Sequence, residues 1–320
     1  MATATRVEAT ERKRQGAVNS HGKGDVNLVN LIERFGSEDR CHAYLEQLRW
    51  PDGVRCPRCE SDKISRITKR RQFDCDSCRY QFSVRVNTIF HDSHLPLWKW
   101  FLAVYMMIEA KKGVSANQLK RTLNVSYKTA WYLCHRIRAS MHDDTPQILE
   151  GTIEVDETYV GGRHKRKNGS VLKNKTMVMG AMERGGSVRF RVERHSKTGT
   201  TVLLHKFVGD TTDADSTIYT DQHLGYKGID KTGRKHETVD HGAEEWVRAD
   251  VHTNSVEGVW SLFKRSLVGS YHQLSAKHLD AYLDEFAFRF NNRKNPYLFR
   301  DTLLALINED RLTYKDLIEA

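Results

Sequence analysis

Three features of the sequence predict an α+β multidomain chain. Two CxxC pairs, Cys56 with Cys59 and Cys75 with Cys78, are separated by fifteen residues. Residues 115–141 carry two short helical periods that break at Asn124 and Val125. From Gly151 onward, helical spacing gives way to alternation of apolar and polar residues. The expected divisions are an arm at 1–25, a cysteine-ribbon domain with preceding short helices at 26–90, a helix-turn-helix unit at 91–145, an α/β domain with a mixed sheet at 146–300 and a helical tail at 301–320.

A chain of 320 residues has room for several domains, and 39% hydrophobic with 29% charged residues is the composition of an ordinary globular protein with a real core. The formal net charge of +10 argues for an anionic partner, because Lys and Arg that neutralise phosphates supply most non-specific affinity for nucleic acid. No membrane association is expected: the apolar run Leu97–Ile108 is shorter than the roughly 20 residues a span needs and is broken by Lys99. The N-terminal 25 residues are polar and basic without a signal-peptide apolar segment, so they read as a solvated arm and the protein as cytoplasmic. Six cysteines agree with that compartment, since four fall in the CxxC pairs and only Cys41 and Cys134 remain.

Leu28, Leu31, Ile32 and Phe35, then Tyr44, Leu45 and Leu48, have helical spacing and predict two short helices. Cys56, Cys59, Cys75 and Cys78 follow with the spacing of a four-thiolate structural zinc site, and the segment between the pairs has strand character, which predicts a zinc ribbon. Lys69, Arg70 and Arg71, set among Phe73, Tyr80 and Phe82, are the ribbon's candidate contacts to nucleic acid; the alternative is a solvated edge. Pro96 suits a helix start, and LWKWFLAVYMMIEAKK is apolar nearly all round, the mark of a core helix.

The next segment, SANQLKRTLNVSYKTAWYLCHRIRASM, predicts a helix with Leu119 and Leu123 inward, a turn at Asn124 and Val125, and a second helix capped by Ser126 that buries Ala130, Leu133, Cys134 and Ile137. This is a helix-turn-helix with a candidate recognition helix, for which Tyr127, Lys128 and Arg136 are the expected DNA contacts; a pure protein scaffold is the alternative. His135 is expected at the surface.

In GTIEVDETYVGG, Ile153 and Val155 alternate with Thr152, Glu154 and Asp156, so Asp156 falls on the more polar face of a first strand. KTMVMGAMERGG and SVRFRVERH predict a hairpin, TTVLLHKFV a helix, STIYTDQ a fourth strand ending at Asp221, ETVDH a fifth strand, and NSVEGVWSLFKRSL a helix. That order is the order of an RNase-H-like fold. On the last helix Val256, Val259, Trp260, Phe263 and Leu267 form the apolar stripe, while Glu257, Ser261 and Lys264 share another face. Asp156, Asp221 and Glu257, at strand ends and on the following helix, have the character of a site for two Mg2+ (or Mn2+) ions, which take oxygen ligands and clamp attacking and leaving oxygens. Lys264 and Arg265 would touch phosphate.

Asn254 as N-cap with Glu257 at the third helical position is a simpler explanation of the glutamate, and both can hold. Glu157 falls on the apolar register, Asp210, Asp213 and Asp215 read as turn residues, and Asp240 and Asp250 are conceivable third ligands. His223, His241 and His252 lack metal-ligand spacing and are assigned local hydrogen bonds. The basic loop GGRHKRKNGSVLKNK, with Arg163, Lys165 and Arg166, follows the first strand directly and is either a solvated face or a grip on a nucleic-acid backbone.

LRWPDGVRCPRC, RRQFDCDSCRYQFSV, TIFHDSHLPLWKWFLAVYMM, VDETYVGG, HTNSVEGVWSLFKR and YLDEFAFRFNNR together resemble bacterial insertion-sequence transposases of the fifteen-ninety-five family (ISXO-like), over roughly residues 28–300. The resemblance implies that Asp156, Asp221 and Glu257 are a DDE catalytic triad with Lys264 as accompanying lysine, and that Cys56, Cys59, Cys75 and Cys78 hold zinc. It further implies a nucleoid-associated enzyme that binds terminal inverted repeats, cleaves and transfers strands, and works as a homodimer or larger synaptic assembly. A non-catalytic DNA-binding regulator and an RNase-H-like nuclease are the rival expectations.

Overall fold

A computed structural model of the chain describes residues 26–161, 175–194, 199–240, 247–272 and 274–319. The basic arm, the loop with Arg163, Lys165 and Arg166, and His241 lie outside the described residues. The described residues divide into two units: those within 26–109, 116–140 and 295–319, and those within 110–115 and 141–294.

The first unit begins with α1 (Leu28–Phe35) and α2 (Glu38–Arg49), started by Asn27 and Ser37, whose side chains accept from Asn30 N at 2.9 Å and Arg40 N at 3.4 Å. Such caps satisfy otherwise orphaned amides and contribute about 1 kcal/mol each. β1 (Ile64–Ile67), β2 (Gln72–Cys75) and β3 (Gln81–Phe82) form an antiparallel three-stranded sheet. Phe73 and Phe82 are buried beneath it, with Trp50 edge-on at 5.5 and 5.9 Å. The apolar run is α3 (Leu97–Glu109), with Leu97, Trp100, Phe101, Val104 and Met107 all buried.

α4 (Ala116–Leu123) and α5 (Tyr127–Ala139) flank the expected turn, where Asn124 takes φ 49° and the Ser126 hydroxyl accepts from Thr129 N at 3.0 Å. The C-terminal helices α9 (Leu298–Asn308) and α10 (Tyr314–Glu319) belong to this unit. Residues 312–314 lie on α5: Leu312 O accepts from the Tyr132 hydroxyl, and Tyr314 packs edge-on against Trp131 and Tyr132.

The second unit is a five-stranded sheet of β4 (Thr152–Val160), β5 (Thr176–Glu183), β6 (Val188–Glu193), β7 (Thr217–Asp221) and β8 (Lys235–Val239), ordered β6-β5-β4-β7-β8. The first three strands are antiparallel, and β7 and β8 run parallel to β4. This is the mixed sheet of the RNase-H-like fold. Because successive side chains on a strand point to opposite faces, β4 serves two cores. Ile153 and Val155 pack with α6 (Thr200–Thr211) through Leu204, Phe207 and Val208. The other face is covered by α7 (Asn254–Ser266) and α8 (Leu279–Asn291), through Val256, Val259, Trp260, Phe263, Leu283 and Phe286.

Two expectations are corrected. Arg136 is buried, its guanidinium donating to Ile89 O and to His91 O at 2.7 Å and lying over the Trp100 ring at 4.9 Å. It braces the first unit and does not face outward as a DNA contact. His135 is also buried rather than at the surface, 4.3 Å from Trp131 between ring centroids. The cause is common to both: α5 is covered over most of its length, and only its first turn is exposed.

Candidate active site and zinc ribbon

β4 and β7 are in parallel register from Thr152 against Thr217 to Glu154 against Tyr219. Two steps further along that register, Asp156 in the middle of β4 falls beside Asp221 at the carboxyl end of β7, on the face that α7 covers. Asp221 closes β7, and its Oδ1 accepts from His223 N at 3.0 Å, which starts the turn that follows. On α7, Val256, Val259, Trp260 and Phe263 are buried while Glu257, Ser261 and Lys264 are exposed, as helical spacing requires.

Asp156, Glu257, Ser261, Lys264 and Arg265 line one open cleft of about 580 Å³, with Trp260 and Val268 as its apolar wall. Asp221 is not part of that lining, yet its charge reaches Asp156. Burial, then the charges of Glu157 and Asp221 and, more weakly, Glu257, push the Asp156 carboxyl up to about 7. Gly180, the β5 partner of Asp156, lets Trp260 approach closely: a Cβ there would stand 2.5 Å from Trp260 Cζ2.

The start of α7 differs from the expectation. The cap residue is Thr253, not Asn254, so Glu257 falls one position beyond that of a capping-box glutamate. The Thr253 hydroxyl binds no amide of the first turn but donates to Glu257 Oε1 at 3.0 Å. Two first-turn amides, Ser255 N at 2.7 Å and Val256 N at 3.0 Å, donate instead to Glu154 Oε2. Glu154 shares the Asp156 face of β4. Sequence reasoning passed over it as one member of the polar alternation; the signal was a carboxylate enclosed between Ile153 and Val155 in mid-strand.

On the opposite face, Glu157 Oε2 accepts from the buried Tyr226 hydroxyl at 2.6 Å, tying β4 to the turn after Asp221. Asp213 Oδ1 accepts from Asp215 N at 2.9 Å as a turn residue, and Asp210 pairs with Arg191 at 2.9 Å. His223 Nδ1 accepts from Gly225 N at 3.2 Å.

In the ribbon, the sulfurs of Cys56, Cys59, Cys75 and Cys78 all lie within 4.8 Å of one another, with Cys56 to Cys78 at 3.6 Å and Cys59 to Cys75 at 3.5 Å. A tetrahedron with Zn–S bonds of about 2.3 Å has edges of about 3.8 Å, so the sulfur cage has the size zinc takes. Lys69 and Arg70 are exposed on the turn between β1 and β2; Arg71, φ 50°, is also exposed, and its Nε donates to Asp39 Oδ1 at 2.6 Å. In the helix-turn-helix, Tyr127 and Lys128 are exposed on the first turn of α5, with the Lys128 ammonium 4.2 Å over the Tyr314 ring.

Residues 148–291 match the ISXO2-like transposase domain, and residues 36–81 match the transposase zinc-ribbon domain. An uncharacterized protein in transposable element ISH50 of Halobacterium salinarum is 32% identical over 277 residues, 81% of this chain and 92% of its own length. Among solved structures, the Mos1 strand transfer complex is similar at a TM-score of 0.30 and 10% identity, over 65% of this chain and 75% of that one. The simian T-cell lymphotropic virus intasome is similar at 0.28 and 12%, over 54% and 63%. Both likenesses are too loose to bear on the site. The two matched domains and the long halobacterial relative establish that the chain belongs to the IS1595 family of transposases.

Proposed function

We propose that this chain is a DNA transposase that cleaves at the ends of its element and joins the freed ends to target DNA, with Asp156, Asp221 and Glu257 holding two divalent cations, Mg2+ or Mn2+. The observation that carries the reading is the convergence of Asp156 and Glu257 on one open cleft with Lys264 and Arg265; burial first, then the charges of Glu157, Asp221 and Glu257, push the Asp156 carboxyl up to about 7. Carboxylates so arranged destabilise one another until a cation joins them, and their oxygens are the donors that hard divalent ions take. Bound there, such ions would polarise the scissile phosphate and lower the pKa of the attacking water or hydroxyl.

The chain's own side chains supply the rest. Asp156, Asp221 and Glu257 together would hold the two cations. Lys264 and Arg265, exposed on the wall of the same cleft, would neutralise the phosphates flanking the cut and hold the strand in line. DNA recognition falls to exposed side chains of the first unit: the cations Lys69 and Arg70 on the ribbon turn, and Arg121 and Lys128 with Tyr127 around the helix-turn-helix. A recognition helix presents its N-terminal residues to base edges, and the N-terminal turn is the part of α5 left uncovered. The four cysteines would hold a structural zinc ion that keeps the ribbon folded. Terminal inverted repeats are the expected specific ligand, and joining two ends to one target calls for a dimer or larger assembly.

Asp156→Asn should abolish Mg2+-dependent cleavage of an end-bearing duplex while leaving end binding intact. Cleavage at the normal rate by the purified variant would overturn the assignment.

A further inference from the structure

We propose that Glu154 is a positioning residue: it anchors the start of α7, and with it Glu257, to the strand that carries Asp156. The proposal rests on the two-cation reading of the acids.

Glu154 is fully buried, yet both of its carboxylate oxygens are engaged. Oε2 accepts from Ser255 N at 2.7 Å and Val256 N at 3.0 Å. Oε1 accepts from Arg184 Nε at 2.8 Å and the Ser255 hydroxyl at 2.9 Å; His252 Nδ1 lies 3.2 Å away without hydrogen-bond geometry. Arg184 in turn donates from Nη2 to His252 O at 3.2 Å and lies over the Tyr219 ring at 4.8 Å. One strand carboxylate and one arginine thereby hold residues 252, 255 and 256, the turn of chain from which Glu257 projects.

A buried carboxylate is a costly way to cap a helix. Desolvation takes several kcal/mol per ion, while a local Ser or Thr cap does the same work without charge. Here a local cap is present and is used for something else: the Thr253 hydroxyl donates to Glu257 Oε1 at 3.0 Å. Thr253 therefore sets the rotation of the Glu257 carboxylate, and Glu154 takes over the orphaned amides. Glu154 and Asp156 lie on the same face of β4, with only Val155 between them pointing to the opposite core. The separation of Asp156 from Glu257 is thus fixed by two residues along β4 and the one or two residue steps of α7 from the anchored amides to Glu257. Metal constellations need ligands held within about 0.5 Å, and a hinge at the start of α7 would exceed that tolerance.

Mn2+ binding to the full-length protein, followed by electron paramagnetic resonance, tests the idea in four proteins: wild type, Glu154→Gln, Glu257→Gln and the double variant. The amide of Glu154→Gln can preserve only one of the two acceptor edges. It should weaken Mn2+ binding about tenfold and raise the Mg2+ concentration for half-maximal cleavage equally, with the maximal rate largely recovered at high Mg2+. In the Glu257→Gln background it should cause no further loss, because its effect passes through Glu257. Equal losses in both backgrounds, or unchanged Mn2+ affinity in Glu154→Gln, would overturn the proposal. Should Glu154→Gln not fold, Ser255→Ala removes a single bond to Oε1 and should give a two- to threefold loss with the same dependence on Glu257; no loss there would likewise overturn it. Asp156→Asn serves as the control: wild-type Mn2+ affinity in that variant would sink the two-cation reading itself, separately from the role of Glu154.

Discussion

Gly180→Ala should loosen the seating of α7 on the sheet. The new Cβ would stand 2.5 Å from Trp260 Cζ2, 2.9 Å from Cη2 and 3.4 Å from Phe190 Cδ1. Carbon atoms make favourable contact only from about 3.5 Å, so the indole must retreat by about 1 Å. That retreat disturbs close packing: Trp260 is 3% exposed and is flanked by Phe190 at 5.2 Å and Phe263 at 6.5 Å. Overpacking of this kind costs about 1–3 kcal/mol, against up to about 1 kcal/mol gained because alanine loses less backbone entropy than glycine. A net loss of about 1–2 kcal/mol is expected in denaturant unfolding, with an unchanged m-value. Glu257 lies on the same helix three residues earlier, so the retreat carries it away from Asp156, and a 1 Å misplacement can lower a rate by about 100-fold. Trp260→Phe removes both clashing atoms. In that background Gly180→Ala should be tolerated, giving a coupling of about 1 kcal/mol in a double-mutant cycle. Wild-type stability and cleavage in Gly180→Ala, or the same penalty with and without the indole, would refute the reasoning.

Other outcomes follow from the same geometry. In the metal-free protein Asp156 titrates at about 7, above the unfolded value of about 3.9, so it opposes folding increasingly as pH rises from 4 to 7 and fully above that. Asp156→Asn should therefore be more stable than wild type at pH 8, by up to about 4 kcal/mol, and no different at pH 4; thermal melts in chelator at both pH values check this, and a less stable variant at pH 8 contradicts it. Glu38 is drawn down to about 2: burial works against its charge, but hydrogen bonds from His42 and the backbone and the nearby Arg85 outweigh it. Its contribution to stability is present above the unfolded pKa of about 4.3 and lost as pH falls toward 2, so Glu38→Gln should flatten the acid limb of the stability curve of the first unit. Arg136→Ala should cost about 2–3 kcal/mol by stranding the Ile89 and His91 carbonyls, whereas Lys128→Ala should cost no more than about 0.5–1 kcal/mol, from its contact with the Tyr314 ring, and reduce the salt slope of end binding by about 1. Equal effects of these two variants on DNA binding at matched folded fraction would count against both placements. Removing zinc with a chelator, or Cys75→Ser, should unfold the ribbon and expose Trp50 and Phe73, read as a red shift in tryptophan fluorescence.

Where a feature depends on residues near each other in the chain, the sequence is informative. Two CxxC spacings specify four sulfurs that do converge, and alternation against helical spacing separates the five strands from α6 and α7 in the order seen. Helical periodicity places Glu257, Ser261 and Lys264 on one exposed face, and they line one cleft. What periodicity omits is where a polar group's partner comes from. Arg136 has the sequence context of a surface cation at a helix end, but the carbonyls it holds belong to Ile89 and His91, more than forty residues earlier, in a loop with no periodic signature.

The start of α7 shows the same limit more sharply, because the local reading is chemically sound and still differs from the structure. Asn254 before an apolar run, with Glu257 three residues on, satisfies a capping-box pattern. As an N-cap, Asn also ranks above Thr. The fold prefers Thr253 as cap and frees its hydroxyl for Glu257, while Glu154 arrives from β4, about one hundred residues earlier, with one carboxylate oxygen placed to accept from both first-turn amides. That exchange trades a cheap neutral cap for a buried charge, a poor bargain for stability alone. It gains a rigid link between two elements that each carry one acid of the cluster. A local rule broken at a cost, beside a group of carboxylates that repel one another, is the pattern expected where a chain gives up stability to hold a site.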